Sequence, residues 1–103
     1  MENFEERLKN FYKAILILTE KYPECKEDVF KILKELHLEN YPLCSYEDLI
    51  SLPLSSIKSS YNISVEIVEK YFDPIKMFDE IPIWDNFSSF VEDLYIKKLI
   101  EKG

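Results

Sequence analysis

The residues most able to do chemistry are two cysteines, Cys25 and Cys44, and one histidine, His37. A structural zinc site needs four ligands, often in paired Cys-x-x-Cys or His-x-x-x-His spacing, and these three residues offer neither the number nor the pattern. A thiol–imidazole pair would give a nucleophile and its base. His37, however, belongs to the rim of a helix, and free cysteines are most often small buried hydrophobes. Acidic pairs such as Glu5/Glu6, Glu27/Asp28, Asp79/Glu80 and Glu92/Asp93 are adjacent in sequence. Neighbours on a helix diverge, so such pairs form solvated faces rather than a shared acid–base site. The only glycine is Gly103, so no glycine-rich phosphate loop exists. The expectation is a protein that is not an enzyme and carries no cofactor or metal.

Those residues must be positioned by helices. The pattern Phe4, Leu8, Phe11, Ile15, Leu18, Tyr22 recurs at spacings of three and four, which predicts a helix from Asn3 to about Tyr22 capped by Asn3. Pro23 can open a second helix running to about Leu38, with Cys25, Val29, Ile32, Leu33 and Leu36 inward, ended by Asn40-Tyr41-Pro42. The short connection predicts an antiparallel hairpin over residues 1–39. After a weak break at 39–45, Ser45 caps a short helix to Ser51, two helical segments meet near Asn62, and Asp73-Pro74 starts a short turn. Pro82 interrupts, and Asp85 caps a final helix from Asn86 to about Lys102 with Phe87, Phe90, Val91, Leu94 and Leu99 as core. Strand signals are sparse. The fold class is therefore all-α: one domain, 1–103, a compact bundle of about five to seven helices.

One segment resembles a known unit. Leu54 to Phe72, LSSIKSSYNISVEIVEKYF, looks like a helix-turn-helix: Ile57 and Tyr61 line a first helix, Asn62 takes the turn, Ile63 plugs the angle, Ser64 caps a second helix, and Val68 and Tyr71 return to the core. The resemblance implies DNA contact by Lys58, Ser64 and Lys70, with a dimer formed through the helical hairpin. Against this stand Glu66 and Glu69 on the second helix and a single arginine, Arg7, in the whole chain. Phosphates repel carboxylates, and arginine is the commonest reader of guanine.

Composition favours another use. The chain carries 20 acidic and 13 basic residues, a net charge of −7, which disfavours nucleic acid and anionic lipid as direct partners. From Glu66 to Glu80, five acids face two lysines, a balance of −3. The expectation is a small acidic protein that binds another protein, one with a basic, nucleic-acid-binding surface. It would act as an interaction module or inhibitor, of the kind small phage antidefence proteins represent. Glu66, Glu69, Asp73, Asp79 and Glu80 would form its electrostatic face, and an exposed Trp84 its apolar anchor. The alternatives are the helix-turn-helix regulator and an accessory subunit of a larger assembly. A homodimer through the aromatic stripe of the first helix stays open. The acidic start, Met1-Glu2-Asn3, lacks the basic and apolar regions of a signal peptide, and the longest apolar run, Ala14 to Leu18, cannot span a bilayer. A cytoplasmic location is expected.

Overall fold

The structure, a computed structural model, describes residues 3–39 and 45–102. Among these residues the chain forms five α-helices and two single 3₁₀ turns, with no strand: α1 (Phe4–Lys21), α2 (Lys26–Glu35), α3 (Tyr46–Ile50), α4 (Leu54–Tyr71) and α5 (Ile81–Lys102). Cys44, residues 40–44 of the break expected at 39–45, and the expected stop Asn40-Tyr41-Pro42 lie outside the described residues.

The helix α1 starts where its cap predicts, with the Asn3 side chain accepting the Glu6 N–H at 2.8 Å. Its buried face is Leu8, Phe11, Ala14, Ile15 and Leu18. A 3₁₀ turn at Pro23–Cys25 leads into α2, so the second helix begins one turn later than its proline suggests.

The end of α2 is not the simple stop expected from Asn40 onward. His37 adopts φ 54°, its N–H donates to the Lys34 carbonyl at 3.1 Å, and the Leu38 N–H donates to the Leu33 carbonyl at 2.8 Å. This pair of bonds is a Schellman motif, with His37 in the left-handed position that glycine usually holds. Leu33 and Leu38, which the motif brings together, are both buried. The motif places His37 just beyond the end of α2 rather than on its rim. A β-carbon in this region is disfavoured. His37→Gly is therefore expected to stabilise the protein by about 1 kcal/mol. For a domain of this size that would raise the Tm by several degrees in a thermal melt, roughly 4–8 °C per kcal/mol. A lowered Tm would contradict the strain assigned to His37.

The largest departure is α4. It runs unbroken from Leu54 to Tyr71, so the turn expected at Asn62 does not occur and no helix-turn-helix geometry exists in this segment. Asn62 is an exposed helical residue, and Ile63 packs half-buried against the core instead of plugging an angle. Ser64 is not a cap. It is buried, as is Ser60, and together with Ile57 and Ile67 they form one continuous inward stripe spaced three and four apart. Each serine satisfies its hydroxyl within its own helix: Ser60 Oγ donates to the Ser56 carbonyl at 3.0 Å and Ser64 Oγ to the Tyr61 carbonyl at 2.8 Å. The small side chains let α4 lie close to its neighbours without stranding a polar atom.

The helix α5 also begins earlier than expected, at Ile81. Pro82 sits in its first turn, where the missing N–H is harmless, and Asp85 is an exposed residue inside the helix rather than its cap. Trp84, Phe87, Phe90, Val91 and Leu94 are buried, whereas Leu99 is exposed along with Ile96 and Ile100. The helix thus outruns the core at its C-terminal end.

The helix α5 packs on both α1 and α4, and α2 packs on α4. The consecutive helices α1 and α2 run antiparallel, with Leu18 near Cys25 and the Tyr12 hydroxyl donating to the Leu38 carbonyl. They nevertheless meet sparsely along their length. Phe11 lies at the centre of the core, stacked on Phe90 at 4.6 Å and parallel to Phe87 at 6.0 Å. Arg7 pairs with Asp93 between α1 and α5, and the Lys98 ammonium donates to the Ile50 carbonyl at 2.7 Å, closing the end of α3.

Candidate interaction surfaces

The expected acidic face is only partly assembled. Glu66 and Glu69 are exposed, one turn apart on α4, and Asp79 is exposed in the connection between α4 and α5. Asp73 is half-buried and is used by the backbone: its carboxylate accepts the Ile75 N–H at 2.9 Å and the Lys76 N–H at 3.4 Å.

Glu80 and Trp84 are corrections. Glu80 is buried among donors from separate parts of the fold. Its carboxylate accepts the Lys21 ammonium at 2.7 Å, the Tyr22 hydroxyl at 3.1 Å and the Trp84 indole N–H at 3.3 Å. The Lys21 ammonium, followed by the indole and phenol donors, holds the Glu80 carboxyl below the usual carboxylate range, against the opposing effect of burial. Trp84 is only 3% exposed and packs against Phe72 at 5.5 Å and Tyr22 at 5.9 Å. It is a core residue because Ile81-Pro82-Ile83-Trp84 is the first turn of a helix and not a connection.

The apolar anchors sit elsewhere. In the connection, Ile75 is 90% exposed and Phe78 76% exposed, two large side chains beside Asp79. The backbone that presents these side chains is fixed at both ends. Asp73 folds it back at the start, with the Met77 N–H donating to the Asp73 carbonyl at 2.8 Å. Glu80 ties its end to α1 and α5.

A second apolar surface lies where α1 and α2 diverge. A groove of about 560 Å³ opens there, walled by Leu16, 68% exposed, and Phe30, 62% exposed, over a floor that includes Ile15 and Leu33. Both wall residues fall one position off the buried stripes of their helices, which is the signal in the sequence that marks them as outward.

The residues suggested for DNA contact do not form one surface. Ser64 is buried. Lys58 and Lys70 are exposed but twelve positions apart on one helix, about 18 Å along its axis and rotated by roughly a third of a turn. Lys70 lies over the Tyr71 ring at 5.4 Å. Cys25 is buried with its thiol toward the Leu18 carbonyl, and burial pushes its pKa up, which suits a packing role. No cluster of three or more metal-ligating side chains occurs among the described residues, and no helix among them is long and apolar enough to cross a membrane. Compared with protein-family models, curated proteins and solved structures, the chain matches none.

Proposed function

We propose that this acidic protein acts by binding another protein through the connection between α4 and α5, as an interaction module or inhibitor. Ile75 and Phe78 serve as apolar anchors, with Asp79, Glu66 and Glu69 supplying negative charge along the same stretch of chain. The partner surface that fits is an apolar pocket bordered by basic residues, as on a nucleic-acid-binding machine.

The observation that carries this reading is the exposure of Ile75 and Phe78 on a backbone held by Asp73 and Glu80. Large apolar side chains left in water on an ordered segment are what binding hot spots require. Fixing the segment beforehand reduces the ordering cost of association. The acids add steering toward a basic partner and make the encounter salt-dependent.

The test is capture of partners from a lysate of the source organism after nuclease treatment, using the wild type and the double variant Ile75→Asp/Phe78→Asp. Both positions are exposed, so the variant should keep the wild-type Tm. The expected result is a specific protein retained by the wild type and reduced at least tenfold by the variant. Equal retention by both proteins, or retention of nucleic acid alone, would refute the proposal.

A further inference from the structure

The groove between α1 and α2 has a charge opposite to that of the molecule. Among the described residues its lining includes Lys9, Lys13 and Lys26 and no carboxylate, on a protein of net charge −7. All three lysines are exposed, and none forms an ion pair among the described residues. Between them stand Leu16 and Phe30, on opposite walls. The α1 wall runs from Lys9 to Thr19, about 15 Å or nearly three helical turns.

We infer that this groove receives an amphipathic helix from a partner protein, with an apolar stripe flanked by Asp and Glu. Two diverging helices with an apolar floor accept a third helix by side-chain interdigitation. A stripe at i, i+3, i+4 and i+7 spans about 10 Å and fits within the length of the wall. The lysine rim selects acidic flanks, and like charge opposite it would be rejected. A second copy of this chain fits less well. A symmetric pairing would set the three lysines against themselves.

The surface is distinct from the Ile75–Phe78 connection, so the two can be tested apart. The probe is a fluorescein-labelled 20-residue peptide with leucines at i, i+3, i+4 and i+7 and glutamates on both flanks. It is compared with a Lys-flanked version and with a version whose leucines are scrambled. Titration by anisotropy, with the peptide's helicity followed by circular dichroism, should show saturable binding of the acidic amphipathic peptide. Helicity should rise on binding, and the affinity should exceed that of either control by at least tenfold. Leu16→Asp/Phe30→Asp and Lys9→Glu/Lys13→Glu/Lys26→Glu should each weaken binding at least tenfold at unchanged Tm, whereas Ile75→Asp/Phe78→Asp should bind the peptide as the wild type does. Equal affinity for the three peptides, or indifference to the lysine reversals, would overturn the inference. So would binding of laurate in the groove without binding of the peptide, which would assign it to a fatty anion. Dimerisation in sedimentation that Phe30→Asp abolishes, again without peptide binding, would assign it to a second copy.

Discussion

Phe11→Ala is expected to lower the unfolding free energy by about 3–5 kcal/mol. Phe11 is fully buried and lies against Phe87 and Phe90, so it joins α1 to α5 at the centre of the core. Truncation removes its apolar surface from the interior, leaves a cavity that the surrounding rings can only partly fill, and loses the ring–ring contacts. Domains of this size commonly have about 5–15 kcal/mol in total, so the loss would be a large part of the whole. Urea unfolding followed by far-UV circular dichroism measures it as a fall in midpoint at similar slope. A loss below about 1 kcal/mol, outside the range for such truncations, would mean that Phe11 is not enclosed as described.

The second large effect concerns Glu80. Replacing it with alanine leaves the buried Trp84 N–H without its acceptor and removes the partner of the Lys21 ammonium. An unpaired buried donor costs about 1–3 kcal/mol, and hydrogen bonds to a charged group are among the stronger ones. The expected loss at neutral pH is about 2–3 kcal/mol. The effect depends on pH with a definite sign. The folded-state pKa of Glu80 is depressed, so the unfolded chain binds the proton more readily. The contribution is fully present above the ordinary carboxylate pKa of 4.5 and is lost as pH falls through the lower folded value. Glu80→Gln should therefore be less stable than the wild type at pH 7 and approach it as pH falls through the depressed folded-state value of Glu80. On the alkaline side the direction reverses. Lys21 is raised above 10.5, chiefly by its hydrogen bond to Glu80, and Tyr22 above 10, chiefly by burial and then by Glu80. Their contributions are complete below those ordinary values and decline as pH rises through the folded ones. A constant gap between wild type and Glu80→Gln across the acid range would show that the carboxylate is not held by these donors.

The helical architecture was legible because strong periodicity and local caps agree. Asn3 and Ser45 cap α1 and α3 as their side chains predict, and the Ser45–Asp48 capping box is complete. The buried faces of α1 and α2 also follow their sequence stripes. The departures share a physical cause: a residue's local preference does not fix its role where packing decides otherwise. Ser64 has the chemistry of a cap, yet its small volume suits the inward face of α4. Asn62 tolerates a turn but also tolerates an exposed helical position. Pro82 can break a helix or begin one, and here it sits in the first turn of α5, directly after Glu80 with its donors Lys21, Tyr22 and Trp84. Trp84 faces inward for the same reason, because α5 starts at Ile81 and makes it a helical residue of the core.

Of the proposed acidic face, Glu66, Glu69 and Asp79 remain on the surface, while Asp73 and Glu80 hold the segment that displays Ile75 and Phe78. Two of the five expected acids, Asp73 and Glu80, thus build the segment with their carboxylates. Carboxylates at the ends of an exposed connection are as able to build it as to face a partner, and spacing alone does not separate these uses.

If this connection touches a partner protein, site-specific photo-crosslinking from within it will capture that protein. A benzoylphenylalanine replaces Phe78 in one variant and the exposed Glu47 of α3 in another, and each is irradiated in nuclease-treated lysate. One discrete protein adduct is expected from position 78 and none from position 47. No adduct at position 78, or the same adducts from both positions, would contradict it.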